Sequence, residues 1–275
     1  ISDVLQSSLR SGFSGAFAGM VQVLSLMWLR TAVNYQYRYG VSIGQALRDL
    51  KLQGGIPRFY RGLSFALIQG PLAKFGGACA NELSLHYCKL YCSDRYHLVL
   101  STILGGILSG LWRFAIMPID ICKTILQVDG KVGLDTLLSK VTAEKSILPL
   151  YKGAVATMIT TIVSSYPWLY TYNFLKSSIA VPDGIYIRAL RNGIIGFIAS
   201  AVSDVVSNSF RVVKILRQTT NRVHTYSDII TQIIDNGGWT DLFFRGLSLR
   251  ILTNGFQSML FTVIWRGLLE ENFKT

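Results

Sequence analysis

Charged side chains recur at helical spacing inside segments that are otherwise apolar. Arg113 stands seven residues before Asp120. Asp204 stands seven residues before Arg211. Seven positions make nearly two helical turns, so the two members of each set lie on one helix face. An arginine and an aspartate inside an apolar helix are typical of a binding site for a small zwitterion or anion. The alternative is an ion pair between Arg113 and Asp204 that only neutralises the core.

Residue types that usually carry catalysis or bind metals form no recognisable site. The histidines lie in different segments, and the cysteines have neither paired spacing nor nearby histidines. Nucleotide-binding glycine loops and paired acids are also missing from the sequence. We therefore expect neither an enzyme nor a metal centre, and core packing for the cysteines. The residues concerned are His86, His97, His224, Cys79, Cys88, Cys92 and Cys122.

The elements that position the charged residues are predicted to be membrane helices. Half of the 275 residues are hydrophobic and 15% are charged, which is too apolar for an ordinary soluble enzyme. Residues 11–29 and 153–175 carry no charge, and each is long enough to cross a hydrocarbon layer of roughly 30 Å. The net charge of +12 is scattered between the apolar segments, which favours loops on anionic lipid over nucleic-acid binding. Weaker candidate spans are 62–88, 98–127, 187–218 and 246–270.

Three short triplets indicate internal duplication. An aromatic residue, a base and a glycine recur with glycine spacings of 91 and 93 residues. Each unit is predicted to hold a long helix that ends near a glutamine, a polar segment, and a shorter helix that begins after the triplet. Three units give six helices. The triplets are Tyr60, Arg61 and Gly62, then Tyr151, Lys152 and Gly153, then Phe244, Arg245 and Gly246, and the glutamines are Gln36, Gln127 and Gln218.

The middle unit contains Pro118, Asp120, Lys123 and Gln127 in a fixed order. This pattern, P-x-[DE]-x-x-[KR] with a glutamine nine residues after the proline, resembles the signature of the mitochondrial carrier family. The resemblance covers essentially the whole chain. It implies an all-α membrane protein in which three tandem two-helix repeats form a six-transmembrane-helix, pseudo-threefold bundle with short matrix helices. The single domain would divide into repeats at about 1–92, 93–183 and 184–275.

The resemblance also implies a place and a set of partners. Members lie in the mitochondrial inner membrane as multi-pass proteins, with both termini towards the intermembrane space. A helix that begins at a glycine presents free N–H groups to anions, and in the family such places hold cardiolipin phosphates. Arg61, Lys152 and Arg245 would add charge to these sites, so we expect cardiolipin as a bound lipid at the triplets and no other cofactor. The alternative is that glycine only permits the sharp turn into the helix.

The signature is degenerate in the other two units. Met27 and Ser209 stand where the family has the prolines that kink its odd helices. In the family, an acid on one odd helix pairs with a base on the next and closes the matrix gate, and here only Asp120 with Lys214 is retained. Lys123 faces Leu29 and Arg211 faces Ala32, so these two cations are expected to converge without acids and to repel each other. The remnant of this gate comprises Pro118, Asp120, Lys123, Arg211, Lys214, Gln36, Gln127 and Gln218.

The network that closes the cytoplasmic side in the family is also depleted, because Asn173 and Arg266 stand at acidic positions. We therefore interpret the chain as a carrier-like inner-membrane protein with lost or reduced transport. It would be a structural or accessory subunit of a larger, respiratory-type membrane complex, with other inner-membrane proteins and no nucleic acid as partners. The alternative is an active solute carrier that exchanges a small anionic or zwitterionic metabolite across the inner membrane.

A substrate cavity is expected in the middle of the bundle. An amide, a base and an acid stand five residues before the three proline positions. Seven residues beyond the triplet glycines stand the side chains that usually contact substrate in the family, and none of them is charged here. These uncharged side chains therefore do not indicate which class of substrate is bound. The candidate cavity residues are Gln22, Arg113, Asp204, Gln69, Thr160 and Thr253.

Overall fold

The structure, a computed structural model, describes residues 2–91, 97–220, 225–257 and 260. Within these ranges the regular elements are helices. They are α1 (Ser2–Tyr39), α2 (Ile43–Leu52), α3 (Gly55–Phe59), α4 (Leu63–Tyr91), α5 (His97–Ala115), α6 (Met117–Val128), α7 (Gly130–Glu144), a 3₁₀ helix (Leu148–Tyr151), α8 (Ala154–Ser178), α9 (Ile185–Thr219), α10 (Tyr226–Phe244) and α11 (247–257).

Length and hydropathy identify α9 as a helix that could cross a membrane, over Ile187–Thr219. Val99–Ala115 and Met117–Val128 meet the same criterion together, as one span bent by 69°. Among the described residues these are the helices that qualify, so the six-span arrangement inferred from the repeats stays a prediction.

The long helices pack in a closed order around a central space. Helix α1 packs on α4, α4 on α5, α5 on α8 and α8 on α9, and α9 returns to α1. The shorter helices lie where the long ones end, since α2 and α3 pack on α1, α7 on α6 and α10 on α9. Thr225 begins α10 with a capping box, in which its side chain accepts from the Asp228 N–H and the Asp228 carboxylate accepts from the Thr225 N–H.

Proline decides which long helix is interrupted. The break between α5 and α6 falls at Ile116, and Pro118 lies in the first turn of α6. A proline there lacks an N–H and its ring would clash with the preceding turn, so α5 cannot continue straight into α6. Helices α1 and α9 run unbroken through Met27 and Ser209. The loss of two signature prolines therefore leaves two continuous helices and one bent element.

Buried apolar residues form the contact between α1 and α9. Leu29 and Ala32, which occupy the acidic and basic gate positions of the first repeat, are 3% and 0% exposed. They lie in one buried cluster with Val212 and Leu216 of α9 and Ile229 of α10. Burial of apolar surface thus holds this interface, where the family pattern would place an ion pair.

Candidate functional site

Each triplet glycine adopts a left-handed conformation and touches the neighbouring repeat. The φ angles of Gly62, Gly153 and Gly246 are 84°, 84° and 67°. Residues with a Cβ are strained there. A Cβ at these positions would also lie 3.0 to 3.1 Å from side-chain atoms of α6, α9 and α1 respectively. Both the backbone and the close helix approach therefore require glycine, which gives the regular spacing of the triplets a structural cause.

Cations in or near the triplets reach the ends of the long helices. Arg61 packs against Gly130 at the start of α7, and it is Arg58 that donates to the Gln127 and Val128 carbonyls at the end of α6, over 2.8 and 2.7 Å. The Lys152 ammonium donates to the carbonyl of Thr220, directly after α9. Arg245 donates over 3.4 Å to a carbonyl in the last turn of α1. Because the last carbonyls of a helix carry partial negative charge, Arg58, Lys152 and Arg245 stabilise the ends of α6, α9 and α1 and link successive repeats.

The aromatic members of the triplets have different surroundings. Tyr60 packs against the buried cluster of Val23, Met27 and Ala66. The Tyr151 ring lies 5.3 Å from that of Phe114, whereas Phe244 is 62% exposed. The aromatic positions therefore do not repeat one contact as the glycines do.

Asp120 joins two repeats at the gate. Its carboxylate accepts hydrogen bonds from Lys123 of its own helix and from Lys214 of α9, both at 2.7 Å. Gln218 of α9 donates to the same group over 3.5 Å, and Lys123 also donates to Gln69 of α4 over 3.1 Å. One carboxylate with an exposed fraction of 3% thus neutralises two lysines.

Asp204 forms a second buried cluster. It lies 3.3 Å from Arg211 and 3.4 Å from Arg250, and Asn254 donates to it. The expectation that Lys123 and Arg211 lack acids is wrong, because each pairs with a carboxylate on its own helix. The sequence left open an ion pair between Asp204 and Arg113. The structure instead pairs Asp204 with Arg211 and Arg250.

Amide and phenol side chains complete the gate. Asn34 donates to Gln127 over 2.6 Å, which joins α1 to α6. Tyr37 donates to Asn208 over 2.9 Å, which joins α1 to α9. Gln36 is directed to a backbone carbonyl beyond the end of α1. Sequence reasoning missed Asn34, Tyr37 and Asn208, since none of them falls on a position of the signature.

A cavity of about 360 Å³ lies beside Asp120 and is strongly basic. Among the described residues that line it, Asp120 is the one carboxylate against seven cations. Asp120 pairs with Lys123 and Lys214, and Asp204 pairs with Arg211 and Arg250. For the other three, Arg30, Lys74 and Arg113, no described carboxylate lies within 4.0 Å. The seven cations are Arg30, Lys74, Arg113, Lys123, Arg211, Lys214 and Arg250.

The predicted cavity residues occupy different environments. Arg113 and Gln69 line the cavity. Gln22 is buried and donates to a carbonyl of α11 over 3.3 Å. Thr160 and Thr253 are buried, and their hydroxyls donate to carbonyls one turn earlier in their own helices.

Three of the cavity cations lie outside the positions predicted from the sequence. Arg30, Lys74 and Arg250 were not singled out from the sequence, although a search for isolated charges in apolar segments would have found them. At the cytoplasmic gate, Asn173 is exposed on α8. Arg266 lies outside the described residues.

Comparisons with known proteins agree on one family. The family model described as mitochondrial carrier protein matches residues 94–181 and 187–268, more than half of the chain. The mitochondrial substrate carrier family protein X of Dictyostelium discoideum is 26% identical over 219 residues, which is 76% of this chain and 72% of that protein.

Two further relatives match over shorter stretches. The peroxisomal adenine nucleotide transporter 1 of Saccharomyces cerevisiae is 23% identical, over 54% of this chain and 55% of the relative. The mitochondrial 2-oxoglutarate/malate carrier protein of Caenorhabditis elegans is 24% identical, over 50% of each chain. The chain therefore spans about half the length of the yeast and nematode proteins. Together with the triplets and the gate, the family match establishes that the chain belongs to the mitochondrial carrier family.

Proposed function

We propose that this protein is a solute carrier that moves a small organic anion through its central cavity. The observation that carries the proposal is the group of Arg30, Lys74 and Arg113, which face the cavity without a described carboxylate beside them. Three cations that share one cavity repel one another, and a bound anion relieves that repulsion. The cavity thus favours an anion over the zwitterion that the sequence left possible.

The relatives support transport over the accessory role. Those named above are called transporters or carriers, and two of the names specify anions: adenine nucleotides and 2-oxoglutarate with malate. An accessory subunit would not need an uncompensated basic cavity, because such charges cost stability. We further propose six membrane spans in the mitochondrial inner membrane. Since one relative is peroxisomal, fractionation of the two organelles is the direct test of location.

Uptake by proteoliposomes tests the transport proposal. Vesicles loaded with nucleotide, dicarboxylate, tricarboxylate or phosphate are expected to exchange at least one of these anions with saturable kinetics. Arg113→Gln and Lys74→Gln each remove a charged hydrogen-bond donor, so each is expected to lower the uptake rate at low substrate about tenfold or more.

Lys131→Gln is the matched control, because Lys131 is an exposed cation on α7 and lies outside the cavity lining. It should transport at the wild-type rate. Absence of saturable uptake for all four anion classes would contradict the proposal.

We also propose that cardiolipin binds at the triplets, where Lys152 supplies a titratable charge. Burial lowers the pKa of Lys152 from 10.5 to about 8, with Arg217, Lys140 and Arg38 adding to the effect. Between these two values the unfolded chain binds more protons than the folded one. Removal of the Lys152 proton therefore raises the stability of the lipid-free protein as pH rises through this window.

The stabilisation by cardiolipin should decrease as pH rises, whereas the stability of the lipid-free protein should increase. The increase in melting temperature that cardiolipin gives is expected to shrink from pH 7 to pH 9, because Lys152 loses its charge. Lys152→Arg should keep the increase at pH 9, and replacing Arg61, Lys152 and Arg245 together should remove most of it at both pH values. Since Lys152 and Arg245 also hold helix ends, the quantity to compare is the lipid-dependent increase in each variant. If cardiolipin raises the melting temperature of the triple variant as much as that of the wild type, the triplets are not the cardiolipin site.

A further inference from the structure

A second cavity, of about 310 Å³, adjoins the basic one and differs from it in chemistry. Residues of α4, α5, α8 and α9 line it, and none of the described ones is charged. These four helices are neighbours in the ring, so a space that all four line lies on the inner side of the ring. This hydroxyl compartment is lined by Gly77, Asn81, Thr102, Gly105, Gly106, Ser109, Ser164, Ser165, Trp168, Leu169 and Ser203.

The two cavities have lining residues about one turn apart on two helices. Ser109 of the hydroxyl compartment lies one turn, about 6 Å, from Arg113 of the basic cavity on α5. On α4, Gly77 follows Lys74 by three residues. A ligand with its charged end at Lys74 and Arg113 would therefore reach the hydroxyl compartment with its other end.

Three serines of the hydroxyl compartment present hydrogen-bond acceptors. Ser164 and Ser165 donate to the Thr161 carbonyl over 3.1 and 2.7 Å, and Ser203 donates to the Ser164 carbonyl over 2.7 Å. A hydroxyl has one hydrogen and two lone pairs, so these groups have used their hydrogens and retain lone pairs. Lone pairs repel an anion and accept from hydroxyl or amino groups, which is the chemistry of a sugar or a nucleobase.

An aromatic surface bounds the same compartment. The Trp168 ring stacks on Tyr172 with centroids 5.1 Å apart and planes inclined by 9°, and its N–H donates to Ser200 over 3.3 Å. These contacts fix the indole, and a flat or cyclic ligand group gains packing energy against a fixed aromatic ring. Each compartment is near the lower limit of roughly 300 Å³ for a small-molecule site, so a ligand with two different ends fits the pair better than a compact ion.

We infer that the hydroxyl compartment binds the uncharged, donor-rich part of a phosphate ester of a sugar or nucleoside, while Arg30, Lys74 and Arg113 bind its phosphate. This inference rests on the proposed anion transport and narrows its substrate class. A phosphate ester suits the three cations because its phosphate groups carry more than one negative charge.

Binding of ADP and of pyrophosphate to the purified full-length chain separates the two compartments. The two ligands share the diphosphate group, and only ADP has a ribose and a base. Isothermal titration is expected to give an affinity for ADP at least tenfold higher than for pyrophosphate. Gly77→Leu should abolish that difference by lowering ADP affinity alone, since a Cβ at Gly77 has open space around it and the larger side chain fills the compartment.

Two further variants provide a control and a second test of the hydroxyl compartment. Gly196→Leu, also at a helical glycine with open space and outside both compartments, should leave both affinities unchanged. Ser109→Ala with Ser165→Ala should weaken ADP binding and spare pyrophosphate even if Gly77→Leu fails to fold. Equal affinities in the wild type, or an equal loss for both ligands in the serine variant, would overturn the inference and leave anion transport standing. No binding of either ligand, together with no anion uptake, would overturn both.

Discussion

Replacing Asp120 with asparagine is expected to lower the melting temperature of the purified protein by on the order of 10 °C. Asp120 is the described carboxylate that contacts both Lys123 and Lys214, and its side chain is 3% exposed. Asparagine has the same shape but no charge, so two lysines with exposed fractions of 17% and 16% would remain without an acid. Removing one member of a buried ion pair typically costs about 3–5 kcal/mol, because the other charge stays desolvated.

The Asp120 prediction has a matched control on the surface. Asp183 lies 4.0 Å from Arg188, and the Asp183 side chain is fully exposed while that of Arg188 is 56% exposed. Asp183→Asn should leave the melting temperature unchanged, since water solvates both groups. Adding Lys123→Gln and Lys214→Gln to Asp120→Asn should recover much of the loss, because no unpaired charge remains. Wild-type melting of Asp120→Asn alone would show that the gate does not depend on this carboxylate.

Asp204→Asn is expected to be similarly destabilising, by about 3–5 kcal/mol, with a response to anions that distinguishes it. The change leaves Arg211 and Arg250 with an amide in place of the carboxylate 3.3 and 3.4 Å away. Both arginines face the basic cavity, so a small anion from solution has access to them. Sulfate should therefore raise the melting temperature of this variant more than that of the wild type, in a thermal-unfolding series at constant ionic strength.

Coupling within the second cluster can be measured by a double-mutant cycle. If Asp204 and Arg250 interact as their distance indicates, the double change Asp204→Asn with Arg250→Gln should cost less than the sum of the single changes. Asp204→Glu keeps the charge and serves as the conservative control. Additive losses, with equal sulfate responses in variant and wild type, would contradict the assignment of Asp204 as the acid that holds these arginines.

The features that the sequence predicted are those fixed by backbone chemistry. Gly62, Gly153 and Gly246 recur because positive φ and close helix contact leave no alternative residue, so the repeats are visible without a structure. The bend before Pro118 follows from the missing N–H of proline in the same way. These constraints fix the residue type at single positions, so the spacing of glycines and prolines in the sequence is enough to recognise them.

The charge pairing could not be predicted to the same extent. Lys123 and Arg211 were expected to stand without acids, because the family pattern pairs each base with an acid on another helix. The choice between Asp120 on the same helix and a partner on another depends on side-chain reach and competition, which spacing does not encode. The hydrogen bond between Tyr37 and Asn208 was missed for a related reason: a polar pair that replaces an ion pair need not keep its positions.

The single interruption between α5 and α6 makes the three repeats mechanically unequal. A helix with an intact hydrogen-bond ladder resists bending, whereas a break concentrates rotation in one or two residues, as at a hinge. In the proposed transport cycle, the side of the cavity that holds Asp120 would therefore open first in the second repeat, with the continuous helices α1 and α9 moving as units. The ion pair of Asp120 and Lys214 lies just beyond that break, so the second repeat carries both the bent element and an ion pair to the third repeat.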